Sequence, residues 1–274
     1  MSTTKKVVFL DIDGTIITRD GRMPASTKEA LERARANGHE MVICTGRSAT
    51  QLDVVLRQTA FDGIVCAAGA YVTRNGAPVW QDTMDTEHVH KLVDYFRANG
   101  MTYFLQSSAG TFTDPTAQAQ LEQAFLALGR KWEDLRPMFG GMDVLDAPED
   151  VPDIQKCCYY NCQKPAADVQ AELGDYYDIV DSSYKVSRFC DGEINKAGVN
   201  KATGMQKYLE AAGVAHADSI AFGDGPNDHE MVEYAAIGVC MGNGTPQLKQ
   251  IADRVCGPID EDGLYEEFKA LGLL

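Results

Sequence analysis

The chain has 274 residues, 45% apolar and 24% charged, the balance of a folded globular protein long enough for one large domain or two modest ones. With 25 Lys and Arg against 40 Asp and Glu, its formal charge of −15 speaks against nucleic acid as a partner, because phosphate backbones are held by clustered cations. No apolar run approaches the ~18 residues needed to span a bilayer, and MSTTKK lacks the apolar segment of a signal peptide. The expectation is a cytoplasmic protein with no membrane partner, monomeric or weakly homo-oligomeric.

In chain order, KVVFLDI is a nearly continuous apolar run, the pattern of a strand buried on both faces of a parallel sheet. Ser26 to Glu29 reads as a capping box that opens a helix ending at Gly38. HEMVICTG predicts a second strand, SATQLDVVLRQ a second helix and DGIVCAAG a third strand. YVTRNGAPVW predicts a hairpin around Asn75-Gly76, the pair that favours a type I′ turn.

From about residue 84 the texture changes to acidic, Pro-rich loops such as DAPEDVPD, with strand-like runs MTYFLQ and KCCYYNC. This stretch carries most of the net negative charge. Residues 84–185 are therefore expected to form an inserted α+β domain, and residues 1–83 with 186–274 the core. Beyond the insert, strand and helix alternate again: SIAFGDG, NDHEMVEYAA, IGVCMG, a helix opened by Thr245-Pro246, RVCG, and LYEEFKALG. The fold class is α/β, a doubly wound Rossmann-like parallel sheet with an inserted α+β unit.

Eight cysteines need a reading. Cys44, Cys66, Cys190, Cys240 and Cys256 lie singly in apolar, strand-like runs. Cys157, Cys158 and Cys162 have no second pair at zinc-site spacing, so buried free thiols are expected. His88, His90, His216 and His229 share no metal-ligand spacing with other ligands and are expected at structural or surface positions. Trp132, Arg130, Lys131 and Arg136 suit either a solvated face or a substrate contact.

Ligands of a parallel sheet bind beyond the carboxyl ends of its strands. Asp11 and Asp13 follow the first strand, Thr45-Gly46-Arg47 the second, and Asp224, Asn227 and Asp228 follow SIAF. Lys201 opens the helix KATGMQKYLEAAG with Asn200 as its N-cap, whereas Lys196 is expected in the loop beforehand as a solvated charge. Taken singly, Asp11-Ile-Asp13-Gly14 also suits an exposed turn, and Asp224 or Asp228 a helix cap. Two carboxylates ~4 Å apart repel by roughly 4 kcal/mol at an effective dielectric of 20, so a converged acidic set calls for protons or a cation. Oxygen ligands alone point to Mg²⁺, and Thr45, Lys201 and helix N-termini suit a phosphate, together a phosphoryl-transfer site.

DIDGT, CTGR, GVNKATG and GDGPNDHEM resemble, in order and spacing, the four motifs of the haloacid dehalogenase (HAD) superfamily. The insert between the second and third resembles the type-two, subclass B cap of the Cof-like phosphatases, and MGNGTPQLKQIADRVC and DEDGLYEEF are similar to that group's tail. The resemblance implies a phosphatase acting through an aspartyl phosphate on small phosphorylated metabolites, sugar phosphates the expected type. It implies Asp11 as nucleophile and Mg²⁺ ligand, and Asp13 as proton donor that also binds the metal through its carbonyl. Thr45 and Gly46 would hold the phosphoryl oxygens, Lys201 would neutralise Asp11 and phosphate, and Asp224 would complete the metal ligands. Asn227 would contact phosphate and Asp228 would orient the metal's surroundings. The family often has Asn-Gly-Ala after the third strand; here it is Ala68-Gly69-Ala70. Two other readings are a phosphomannomutase-like isomerase, against which the acidic insert counts, and a non-catalytic phosphometabolite-binding protein.

Overall fold

Val7–Leu10 are four fully buried residues in succession, and they form strand β1, as an apolar run without alternation does when both faces of a sheet are covered. The structure, a computed structural model, describes residues 5–18, 20–52, 55, 58–135, 141–182 and 190–274. It divides into two compact units, one of Met1–Gly46, Asp53–Gln81 and Asn200–Leu274, the other of Arg47–Leu52 and Asp82–Val199.

In the first unit, β1 is followed by β2 (Glu40–Cys44), β3 (Gly63–Cys66), β4 (Tyr71–Arg74) and β5 (Ala77–Gln81), and the chain returns later with β12 (Ser219–Gly223), β13 (Ile237–Cys240) and β14 (Arg254–Val255). The sheet order is β14-β13-β12-β1-β2-β3-β4-β5. All neighbours run parallel except the β3-β4-β5 edge, which turns back through Asn75 and Gly76, both at positive φ as a type I′ turn requires. From β1 the chain continues to β2 on one side, while β12 flanks β1 on the other. That is the switch point at which an open α/β sheet offers a crevice beyond its strand ends. The core beneath packs Val7, Phe9, Val42 and Val65 against Met205, Tyr208 and Met231 of the helices Lys201–Ala212 and His229–Tyr234.

The second unit holds β6 (Thr102–Gln106), β7 (Thr111–Thr113), β8 (Asp143–Val144), β9 (Lys156–Cys162), β10 (Tyr177–Asp181) and β11 (Cys190–Lys196), in sheet order β10-β11-β9-β6-β7-β8. Helix Thr86–Ala98 buries Val89, Leu92, Val93 and Phe96, the spacing of one helical face, in a core shared with Tyr103, Leu105, Cys157 and Tyr159. No helix among the described residues is long and apolar enough to cross a membrane.

Several local expectations change. The first helix starts at Ala25 with Pro24 as its cap; no capping box forms, and the buried Ser26 hydroxyl has no partner among the described residues. Of the helix expected over 48–58, Ala49–Gln51 form a single 3₁₀ turn and Val55 is α-helical, and part of the rest lies outside the described residues, as does Arg136. Strand β11, expected in the core, pairs with β9 and β10 in the second sheet. Lys196 closes that strand and donates to Asp82 at 2.8 Å, so it is a paired strand residue rather than a solvated loop charge. All eight cysteines are free thiols, six buried, with Cys190 and Cys256 partly exposed. Trp132 is half-buried against Phe125, while Arg130 and Lys131 are exposed.

Candidate active site

The acids, Thr45 and Gly46 follow the ends of β1, β2 and β12, and Lys201 comes from one helix start. The Asp11 N–H donates to the Phe222 carbonyl at 3.0 Å, which carries the β1–β12 ladder one residue beyond β1 and sets the Asp11 side chain at its mouth. The chain then turns on Gly14 at φ +93, and the Gly14 N–H donates to the Ile17 carbonyl at 2.8 Å. Because the peptide is planar and trans, that bond aims the Asp13 carbonyl the opposite way. The Asp13 side chain itself is exposed. Gly14 admits no side chain: an added Cβ would lie 2.2 Å from Asp224 Oδ2.

Lys201 comes from the first turn of its helix, as the sequence predicts. Asn200 caps that turn by accepting from the Thr203 N–H at 3.0 Å. The Lys201 ammonium is 1% exposed and donates to Asp11 Oδ1 at 2.6 Å and to Asp228 Oδ1 at 2.5 Å. Burial alone would favour the neutral amine, but the two carboxylates overcome it and hold the ammonium protonated well above its ordinary range. Asp228 is fully buried, and its second oxygen accepts the N–H groups of Asp224 and Gly225, each at 2.9 Å. It therefore both shapes the turn after β12 and anchors Lys201.

Asp224 follows β12, its Oδ1 receiving the Thr15 hydroxyl at 3.3 Å. Asp11, Asp224 and Asp228 bring ligand oxygens within 4.8 Å of one another, and among the described residues the Lys201 ammonium pairs with two of the three. Burial, then the charge of Asp228, push the Asp11 carboxyl up to about 8 against the pull of Lys201. Burial and Asp228 likewise push Asp224 up to about 7. Such a set is short of positive charge, and its donors are all hard oxygens, so it fits a hard divalent cation. With both Asp228 oxygens engaged by nitrogen donors, Asp11 and Asp224 are the carboxylates best placed to hold one.

Thr45, one residue past β2, is 2% exposed; its N–H donates to the Val65 carbonyl at 2.9 Å and its carbonyl accepts from Ala68 N–H at 3.1 Å. Gly46 and Asn227, the latter in the 3₁₀ turn Pro226–Asp228, are half-buried. Two residues that the sequence reading passed over hold the site together. Thr15 binds Asp224, and Asn243 donates to both Asp224 and the Gly14 carbonyl. Asn243-Gly244 lies in MGNGTPQLKQ, after β13, where an Asn-Gly pair signals only a turn.

Comparison with known proteins fits this arrangement. The sequence profile of the haloacid dehalogenase-like hydrolases matches residues 8–268. The 5-amino-6-(5-phospho-D-ribitylamino)uracil phosphatase YitU of Bacillus subtilis (strain 168) is 30% identical over 98% of both chains. The putative phosphatase YkrA of the same organism is 26% identical, again over 98% of both. A crystal structure of a hypothetical protein from Geobacillus kaustophilus HTA426 superimposes with a TM-score of 0.81, at 26% identity, over 98% of this chain and 100% of that one. Across nearly its whole length, then, the chain belongs to the haloacid dehalogenase-like hydrolases and, within them, to the Cof-like group.

Proposed function

We propose that this hydrolase removes phosphate from small phosphorylated metabolites, sugar phosphates the expected type, by attack of Asp11 on phosphorus with Mg²⁺ held by Asp11, Asp224 and the Asp13 carbonyl. The observation that carries this reading is the buried Lys201, which donates to both Asp11 and Asp228 from a helix start. It keeps one carboxylate of an acidic cluster fixed and partly neutralised where a phosphate oxygen would arrive. Relatives named as phosphatases, including one for a phosphoribitylamino-uracil, support the reaction class.

In the first step, an Asp11 oxygen forms a bond to phosphorus as the bond to the leaving oxygen breaks. Asp13, whose side chain is the exposed one of the pair, gives its proton to that oxygen. In the second step, water attacks the aspartyl phosphate, Asp13 takes the proton, and Asp11 is restored as phosphate departs. The Thr45 hydroxyl, Gly46 N–H and Asn227 hold phosphoryl oxygens, and Asp228 keeps Lys201 aimed. Mg²⁺, when bound, supplies charge neutralisation between the carboxylates and the phosphoryl group. The second unit, in this reading, selects among leaving groups.

Stereochemistry at phosphorus tests the two-step scheme. A chiral phosphate ester should be hydrolysed with retention, the product of two inversions, and Asp11→Asn should abolish turnover while keeping the melting temperature. Net inversion would mean direct attack by water and would remove Asp11 from the nucleophile's role.

A further inference from the structure

Asp224 is held differently from its two acidic neighbours. Asp11 and Asp228 each accept from the Lys201 ammonium, at 2.6 and 2.5 Å. Asp224 is met by neutral donors, the Thr15 hydroxyl at 3.3 Å from Oδ1 and Asn243 Nδ2 at a longer 3.4 Å from Oδ2. A neutral donor orients a carboxylate without cancelling its charge, which then remains available to a cation.

The Asn243 amide has its orientation dictated by the backbone. Its Oδ1 accepts the Ile259 N–H at 3.0 Å, and since a backbone N–H can only donate, Nδ2 must face the opposite side. There it donates to the Gly14 carbonyl at 2.8 Å. Gly14 is the residue whose backbone comes so close to Asp224 that a Cβ would meet Oδ2. One side chain thus ties the turn after β1, the turn after β12 and the loop beyond β14, and it grips both sides of the place where backbone and carboxylate meet. Asn243 is itself exposed, so little packing depends on it.

We propose that Asn243 is a positioning residue for the divalent cation, setting the Asp224 carboxylate and, through Gly14, the adjoining Asp13–Gly14 backbone before the metal arrives. This rests on the metal reading given above. Partners that orient a metal ligand typically change metal affinity by about 10–100-fold when removed. The test titrates Mg²⁺ calorimetrically into chelator-treated wild type, Asn243→Ser and Asn243→Ala, alongside melting curves in chelator. Affinity should fall in the order Asn, Ser, Ala, by about tenfold or more for Ala, with melting temperatures in chelator lowered by no more than a few degrees and kcat largely recovered at saturating Mg²⁺. If Asn243→Ala does not fold, the Ser variant alone must show the weakened binding. Equal affinity across the series would overturn the assignment while leaving the metal reading intact. An affinity loss matched by a large drop in melting temperature would also overturn it, because Asn243 would then be a structural tie. Wild type that binds no Mg²⁺ would remove both readings together.

Discussion

Gly69 presses so closely on the Asn200 carbonyl that an added Cβ would lie 1.9 Å from its oxygen, and its φ of +106 is one that side chains resist. Asn200 caps the helix that presents Lys201, so the turn after β3 sets the height of that ammonium above Asp11. Gly69→Ala must either strain its own backbone or push the helix start away. A loss of about 2–4 kcal/mol is expected in denaturant unfolding, with kcat reduced more than KM is raised. A variant as stable and as active as wild type would show that the contact is easily relaxed.

The preceding residue carries the opposite sign. Ala68 sits at φ +54, ψ 32, a left-handed conformation in which Asn is better tolerated than Ala. Ala68→Asn is expected to raise stability by about 0.5–1 kcal/mol, read from the urea midpoint at unchanged slope. An unchanged or lower midpoint would contradict it.

Lys201 and Lys196 should separate cleanly in kinetics. Lys201 touches Asp11 and Asp228, whereas Lys196 pairs with Asp82 in the other unit. Lys201→Met is expected to lower kcat by about a hundredfold or more, and Lys196→Met only severalfold. Measurement of both at saturating Mg²⁺ decides it, and a crippled Lys196 variant beside an active Lys201 variant would reverse the assignment.

Metal binding should expel protons. With Asp11 raised to about 8 and Asp224 to about 7, the metal-free protein at neutral pH holds Asp11 mostly protonated and Asp224 about half so. A cation needs both ionised, so affinity should climb as pH rises from about 6 to 8, with at least about one proton released near pH 7. Calorimetry in two buffers of different ionisation enthalpy counts that proton. Affinity flat across the same interval would argue against a metal at these carboxylates.

Acid stability should depend on Glu40. Burial opposes its ionisation, yet hydrogen bonds from Arg74, Lys5 and Tyr208 prevail and lower it from 4.5 to about 2. A carboxylate so depressed contributes stability that is complete above about 4.5 and is lost as pH falls through about 2. The contribution changes by at most about 1.4 kcal/mol per pH unit inside that window. Glu40→Gln should flatten the unfolding free energy there, and an unchanged acid slope would place the titration elsewhere.

The sheet strands were legible because burial on both faces leaves a mark in one dimension, as in Val7–Leu10 and Ser219–Gly223. The acids and Lys201 were legible because strand ends and a helix cap place them without knowledge of neighbours. Glu40 was not: nothing local says that a Glu opening an apolar run meets Arg74 across the sheet and Tyr208 from a distant helix. Ser26-Thr-Lys-Glu29 misled for the converse reason, since the cap pattern is real but Pro24 already sets the extended entry and the helix begins two residues early. Asn243 escaped because its three partners come from three separate turns.

The pairing of Val7 with Glu40 on one side and Ser219 on the other has a consequence for synthesis on the ribosome. The strand that leads to Asp11 gains β2 early and keeps its other edge open until Ser219–Gly223, beyond the whole second unit, has been made. Throughout that interval an apolar strand with unpaired backbone groups is available to the wrong partner. Asp11 meanwhile waits without its lysine. Nascent chains halted before Ser219 should therefore engage chaperones and lack the site altogether, so that hydrolytic capacity appears only after Ser219 to Asp228 has been made.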